Sequence, residues 1–375
     1  CKGVVERIGM EGSAIEHKKG DFGVKHSLVI PNHTVALQEV IKVITDERYG
    51  VVRDVSEISA VGHRVLHSGE DFKGSVLITD QVIKICERNA VLGPLHMPAN
   101  IACIKSCKEV MPETPMAAVF DTSFHATMPK HSFMYAIPYA DYKNLKIRKY
   151  GFHGTSHKYV SGEVNNYLNK KNSKVVICHL GNGSSMSAVL DGKCIDTTMG
   201  LTPLEGLIMG TRSGDIDASV VSFMAKQKNL TAGEVVSILN KESGFLGIAG
   251  VSDFRDLCEK ALGGDTRAML AIDMFQYRIK KYIGSYYVAL GGLDAVVFTG
   301  GIGENASYAR KRIMEGLECL GIDFDFEFNE IAPRGKFAEL HRKDSKVKVL
   351  IIPTNEELVI ARDTKELVEK MKAGC

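Results

Sequence analysis

Two glycine loops, two loop arginines and a carboxylate closing an apolar strand are the residues of this chain suited to handling phosphate. Gly181-Asn182-Gly183-Ser184-Ser185 follows the apolar run 175–180. Such a turn presents backbone N–H groups and two hydroxyls on one side, and glycine lets the main chain approach phosphate oxygens. A plain hairpin turn would look the same. Gly300-Gly301-Ile302-Gly303-Glu304-Asn305 follows the apolar run 293–299, with Asn305 as the expected N-cap of a helix over 306–320. A loop so placed delivers an anion or a ribose–adenine group to a helix N-terminus. Arg64 ends a predicted strand over 58–65, and Arg212 sits in Met209-Gly210-Thr211-Arg212-Ser213-Gly214-Asp215. Two loop arginines suit phosphoryl transfer, in which charge spreads over the equatorial oxygens. Surface arginines with solvated heads are the commoner case for any one of them.

Asp121 ends the predicted strand 115–120, where open α/β sheets place functional carboxylates; capping a turn is the alternative. Glu356 and Glu357 open a predicted helix, where complementing the helix dipole would alone explain them. His153 and His157 lie four apart, but no glutamate follows His153 as H-E-x-x-H requires. With Ser156 expected as a helix N-cap, His153 falls outside the helix. That favours a histidine hydrogen-bonding a phosphoryl oxygen over a zinc site.

The second glycine loop has a rival. Gly301-x-Gly303-x-x-Ala306, with Asp323 further on, fits a dinucleotide fingerprint. Its late position leaves too little chain for a six-stranded doubly wound sheet. The P-loop pattern is absent, since Gly335-Lys336 has no second glycine at the required offset.

The elements that must hold these residues alternate between strand-like and helix-like, the pattern of an α/β protein. Helical periodicity covers 79–90, 98–110, 232–240 and 266–288, and 346–352 reads as a buried strand. Strands over 175–180, 185–190 and 194–198, with Asp191-Gly192 as a hairpin signal, predict a three-stranded meander. The stretch 121–138 is the expected domain boundary. Across 375 residues, 47 Lys and Arg face 45 Asp and Glu, a net charge of +2 that argues against a general nucleic-acid binder. No apolar run reaches membrane-spanning length. Nine cysteines without a C-x-x-C pair predict free thiols and a cytoplasmic setting. Cys103 and Cys107 have the spacing of one buried helix face.

Taken together, the segments VGHRVLHSG, GPLHMP, FDTSFH, RKYGFHGTSHKYV, CHLGNGSS, TPLEGLIMGTRSGDID, DFRDL, FTGGIGEN and IPTNEEL resemble the acetate kinase family. That family belongs to the acetate and sugar kinase, Hsp70 and actin superfamily. The resemblance implies an α/β fold of two actin-like, ribonuclease H-like ATPase domains, with mixed five-stranded sheets flanked by helices and an active site in the interdomain cleft. The domains would be 1–125 with 358–375, and 126–357. It implies reversible transfer of the ATP γ-phosphoryl to acetate, giving acetyl phosphate and ADP, with Mg²⁺ or Mn²⁺, in a homodimer.

Residue by residue, the resemblance makes Asp121, His153 and Arg212 catalytic and gives substrate binding to Arg64, Leu66, Leu95, His96, Phe152 and Pro203. His179, Leu180, Gly181, Asn182 and Gly183 would hold phosphates. Asp253, Phe254, Arg255, Gly301, Ile302, Gly303, Glu304 and Asn305 would hold the nucleoside end, and Glu356 would help place Mg²⁺. Leu66 stands where relatives often carry valine, which predicts a pocket tightened against propionate.

The family's opening strand–loop–strand has no counterpart at the start of this chain. Residues 1–9 read as the tail of a third strand, and Cys1 reads as a cut. The loss of a central strand should open the first core and leave backbone groups unpaired. A propionate or short-chain acyl kinase, a truncated and inactive homologue, and a chaperone-type ATPase are the competing expectations.

Overall fold

The computed structural model describes residues 1–94 and 96–374, and Leu95 of the expected substrate set lies outside them. The chain divides into two compact units, one running from Cys1 to Phe120 and resuming at Ile360, the other spanning Asp121–Val359.

The second unit is built on a six-stranded sheet. β7 (Lys174–Leu180), β8 (Ser184–Leu190) and β9 (Lys193–Thr197) form the expected antiparallel meander. Asp191 and Gly192 turn the chain with φ of 49° and 79°, as a tight hairpin requires. β10 (Ala295–Thr299) lies parallel to β7, with Thr299 opposite His179. β12 (Lys348–Ile351) lies parallel to β10, and the two-residue β11 (Ala338–Glu339) closes that edge, one strand beyond the five expected.

Both faces of this sheet are covered, which is why β7 and β10 read as continuous apolar runs rather than alternating ones. Val175 and Ile177 pack with Val160 and Val164 of the helix Gly154–Leu168. Val176, Cys178 and Leu180 pack with Phe275, Ile279 and Ile283 of the helix Thr266–Leu290. The Asp265 carboxylate caps that long helix by accepting from the Arg267 and Ala268 amides.

The first unit holds two three-stranded sheets in place of the single five-stranded one expected. β1 (Lys2–Glu6), β2 (Ala14–Lys19) and β3 (Phe22–Ser27) form an antiparallel sheet, with β1 inside the segment 1–9 that was expected to be strand and β2 and β3 not expected. β1 and β3 are short and almost wholly exposed, so neither has an apolar face to mark it in the sequence. In the other sheet β4 (Val61–Val65) pairs parallel with β6 (Met116–Phe120), and β5 (Val76–Leu77) pairs antiparallel on its far side. Cys107, Met111 and Met116 anchor the adjoining core, while Cys103 is exposed, against the expectation that both cysteines share a buried face. Among the described residues every cysteine is a free thiol, and no helix is long and apolar enough to cross a membrane.

Candidate active site

Because β7, β10 and β12 run parallel, the loops after them leave the same edge of the sheet. That edge is where open α/β folds bind ligands. Gly300, with φ of 76°, turns so close to β7 that a Cβ there would lie 2.8 Å from the Leu180 carbonyl oxygen. The segment Gly300–Asn305 is itself helical, and a second helix, Ser307–Met314, starts after a break at Ala306. Asn305 therefore does not cap a helix over 306–320; its Nδ2 donates to the Gly301 carbonyl instead. The Glu304 carboxylate ties the loops together by accepting from the Gly300 amide at 2.9 Å and the Thr354 amide at 3.1 Å.

The first glycine loop is braced by Ser184, whose Oγ donates to the Gly181 carbonyl at 2.9 Å. Next to Gly183 two basic side chains converge. A Cβ built there would lie 3.4 Å from Nε2 of His153 and 3.6 Å from Nη1 of Arg212. Arg212 is half-buried and donates to the Pro203 carbonyl; desolvation lowers its pKa. Gly244, with φ of 62°, lets its neighbour segment close on the Met209 and Arg212 carbonyls, where a Cβ would sit 2.1 and 2.7 Å away.

His153 has a left-handed backbone, φ 57° and ψ 25°, and stands immediately before the helix Gly154–Leu168. The helix thus starts ahead of the expected Ser156 cap, though His153 does lie outside it. A non-glycine residue in this region is strained, and such strain persists where the surroundings over-determine it. Here they do. His153 Nδ1 lies 2.9 Å from Ser185 Oγ, which lies 2.8 Å from His157 Nε2, whose Nδ1 lies 2.8 Å from Ser187 Oγ. The His179 ring is 4.4 Å from that of His153, and its Nδ1 is paired with Ser156 Oγ at 2.8 Å. Burial holds the His157 pKa well below its ordinary value.

Asp121 is 1% exposed, and its backbone carbonyl accepts from the Gly154 amide at 2.9 Å. A Cβ at Gly154 would lie 2.1 Å from that oxygen, so the approach requires glycine. Phe152 is fully buried, and its carbonyl accepts from His125 Nε2 at 3.0 Å. Glu356 begins the helix Glu356–Lys372.

A cavity of about 640 Å³ opens beside these loops, within the range of ligand pockets. It brings together Gly181, Asn182, Asp253, Phe254, Arg255, Gly301, Ile302 and Asn305 of the expected set. The Asp253 carboxylate caps its helix and accepts two hydrogen bonds from the exposed Arg255 guanidinium, which holds its pKa down at about 2. Leu180 and Gly303 are buried under the loops: Leu180 belongs to the core, and a Cβ at Gly303 would crowd Phe298 at 3.4 Å.

Sequence reasoning missed Cys258, Ser307, Tyr308 and Arg334 in the cavity wall. Arg334 beside Gly335 offered the same signal of a basic residue next to glycine that singled out Arg212. It also missed Ser187, gave Ser156 only a capping role and Ser185 only a place in the glycine turn, where the structure pairs all three with histidines.

The remaining expected residues belong to the first unit. Arg64 is exposed on β4, and Leu66 is buried, its amide donating to Asn100 Oδ1 at 3.0 Å. A Cβ at Gly93 would lie 2.7 Å from Leu66 Cδ2, so that loop packs directly on the leucine. His96 is exposed and immediately precedes the helix Met97–Val110.

Comparison with known proteins gives a consistent set of relatives. A sequence model of the acetokinase family matches residues 1–362. The acetate kinase of Thermoanaerobacterium thermosaccharolyticum is 53% identical over 99% of this chain and 94% of its own length. That of Treponema denticola is 53% identical over 98% of this chain and 93% of its own. Among crystal structures, Porphyromonas gingivalis acetate kinase superposes with a TM-score of 0.93 at 41% identity, covering 98% of this chain and 92% of its own. A propionate kinase from Francisella tularensis gives 0.91 at 41% identity, covering 97% and 92%.

Proposed function

The chain belongs to the acetokinase family, and on that premise we propose that it transfers the γ-phosphoryl of ATP to acetate, reversibly, giving acetyl phosphate and ADP. The observation that carries the reading is the convergence of His153 and Arg212 beside Gly183, at the edge where the glycine loops meet the cavity.

In this reading the cavity takes the nucleoside, with Asp253, Phe254 and Arg255 on one side and Gly301 through Asn305 on the other. Asn182, Gly181 and Gly183 carry the phosphates on backbone amides, assisted by His179. Arg212 and His153 stabilise the charge that develops on the transferred group. The serine–histidine chain ties His153 to the interior: buried His157 is neutral and has one N–H, which goes to either Ser185 or Ser187. We take the order in which His157 Nε2 donates to Ser185 and Ser185 donates to His153 Nδ1, so that the His153 proton sits on Nε2, the nitrogen beside Gly183.

Acetate, with a pKa near the roughly 4.3 of a glutamate side chain, is already ionised at neutral pH and needs no general base. Asp121 is therefore not needed as a base. The donor chemistry fits Mg²⁺, since Asp121 and Glu356 each offer hard carboxylate oxygens of the kind it takes in ones and twos, and these residues would hold it. When bound, the metal would neutralise charge on the phosphates. The family resemblance assigns the acetate carboxylate to Arg64 and its methyl group to Leu66, Leu95, His96, Phe152 and Pro203. On this reading the family's domains are 1–125 with 358–375, and 126–357.

A homodimer in the cytoplasm completes the proposal. Leu270, Met274 and Tyr277 recur at i, i+4 and i+7 on the long helix and stand 52%, 39% and 64% exposed, an apolar stripe that pairing would cover.

Trapping acyl phosphate as the hydroxamate, with acetate, propionate and butyrate as acceptors, tests the function. Acetate should be used best. No acyl phosphate from any acceptor would overturn the assignment. Equal use of acetate and propionate would support the short-chain acyl reading and remove the pocket-narrowing role of Leu66.

A further inference from the structure

We propose that His63, Cys103 and Cys107 form a binding site for a thiophilic d¹⁰ metal ion such as zinc, separate from the phosphoryl-transfer machinery. His63 points inward from β4 and is 7% exposed, while Arg64, the next residue, faces the other way. Cys103 and Cys107 lie one turn apart on the helix Met97–Val110, so both sulfurs project from one side of it. One ligand atom from each of the three residues falls within 4.8 Å of the others. Zinc–sulfur bonds of about 2.3 Å and zinc–nitrogen bonds of about 2.0 Å require donors somewhat closer together, a closure within reach of side-chain rotation.

A second observation points the same way. Nε2 of His63 is buried and has no hydrogen-bond partner. Buried polar atoms are nearly always satisfied, and an orphan calls for an explanation that a bound cation supplies. Cys107 is 3% exposed, whereas Cys103 is open to solvent and gives an ion its way in.

The charge balance is favourable. Both sulfurs bind as thiolates, and two thiolates with a neutral imidazole leave a zinc site without net charge. Three protein ligands leave a fourth position for water. Sulfur and imidazole donors discriminate against Mg²⁺, which demands oxygen, so the ion that accompanies ATP does not compete here.

Cadmium titration of the intact chain tests this, because thiolate-to-cadmium charge transfer in the ultraviolet counts the sulfurs on each ion. The wild-type chain should bind one ion tightly with two thiolates. Cys103→Ser and Cys107→Ser should each lose that site while still making acyl phosphate, which shows that they fold. His63→Gln should keep the two-thiolate band but bind more weakly, by at least the roughly 10–100-fold seen when outer-shell partners of a metal are lost. Equal affinity and stoichiometry in wild type and the Cys103→Ser/Cys107→Ser double variant would overturn the proposal. So would a band corresponding to one thiolate per ion.

Discussion

His153 shows how much of the chemistry is settled by residues that touch no substrate. Its left-handed backbone and its ring are held by Ser185, and through Ser185 by His157 and Ser187. Ser185→Ala breaks this chain at its first link and frees His153 to carry its proton on either nitrogen. We expect kcat to fall by roughly 10–100-fold, the scale on which outer-shell partners act, with the KM for ATP changed less. An unchanged kcat would reduce Ser185 to a packing residue. The sequence offered Ser185 only as a hydroxyl of the glycine turn; its place between two histidines appears only once β8 packs by the helix Gly154–Leu168.

At the scale of elements, legibility followed burial. β7 to β9 and β10 were readable because an apolar run, a hairpin dipeptide and a glycine loop bracket them. β1 and β3 were not, because short, exposed strands bury no face and leave no apolar run. The start of the helix at Gly300 was hidden for another reason: glycine-rich sequence predicts a loop, and the Glu304 carboxylate that satisfies the Gly300 amide acts from four residues away. Arg310 holds the same segment from beneath. It is 2% exposed, donates from Nη1 to the Gly303 carbonyl and from Nε to Asn329 Oδ1, and burial lowers its pKa to about 10. Arg310→Met leaves both acceptors unpaired, which should cost about 1–3 kcal/mol in denaturant unfolding. The loosened loop should raise the KM for ATP more than it lowers kcat. A variant with native stability and native KM would show that the loop is fixed by other contacts.

For the molecule as a whole, the interior histidines set the limit on acid. Burial drives the His125 pKa down to about 4 and that of His157 well below its ordinary value. Both are lower in the folded state than in the unfolded chain, where histidine titrates near 6.5. As pH falls below about 6.5 the unfolded chain takes up protons that the folded chain refuses, so stability declines toward acid and is regained as pH rises. His125 alone should cost about 2 kcal/mol by roughly pH 5. Melting temperature measured between neutral pH and that value should fall, and His125→Gln should fall less steeply. A flat profile would mean that these rings are protonated in the folded protein.

The strand order of the larger sheet also governs how the chain comes off the ribosome. β7, β8 and β9 are complete by residue 197 and can zip together at once, but β7 then presents an open and largely apolar edge. Its partner β10 begins only at residue 295, and β12, which seals β10, only at residue 348. For that whole interval the nascent sheet carries an unpaired strand of the kind that recruits other chains. The parallel register that gathers three loops at one edge therefore leaves that edge incomplete until β12 has been made, and makes translation the period in which this protein most needs a chaperone.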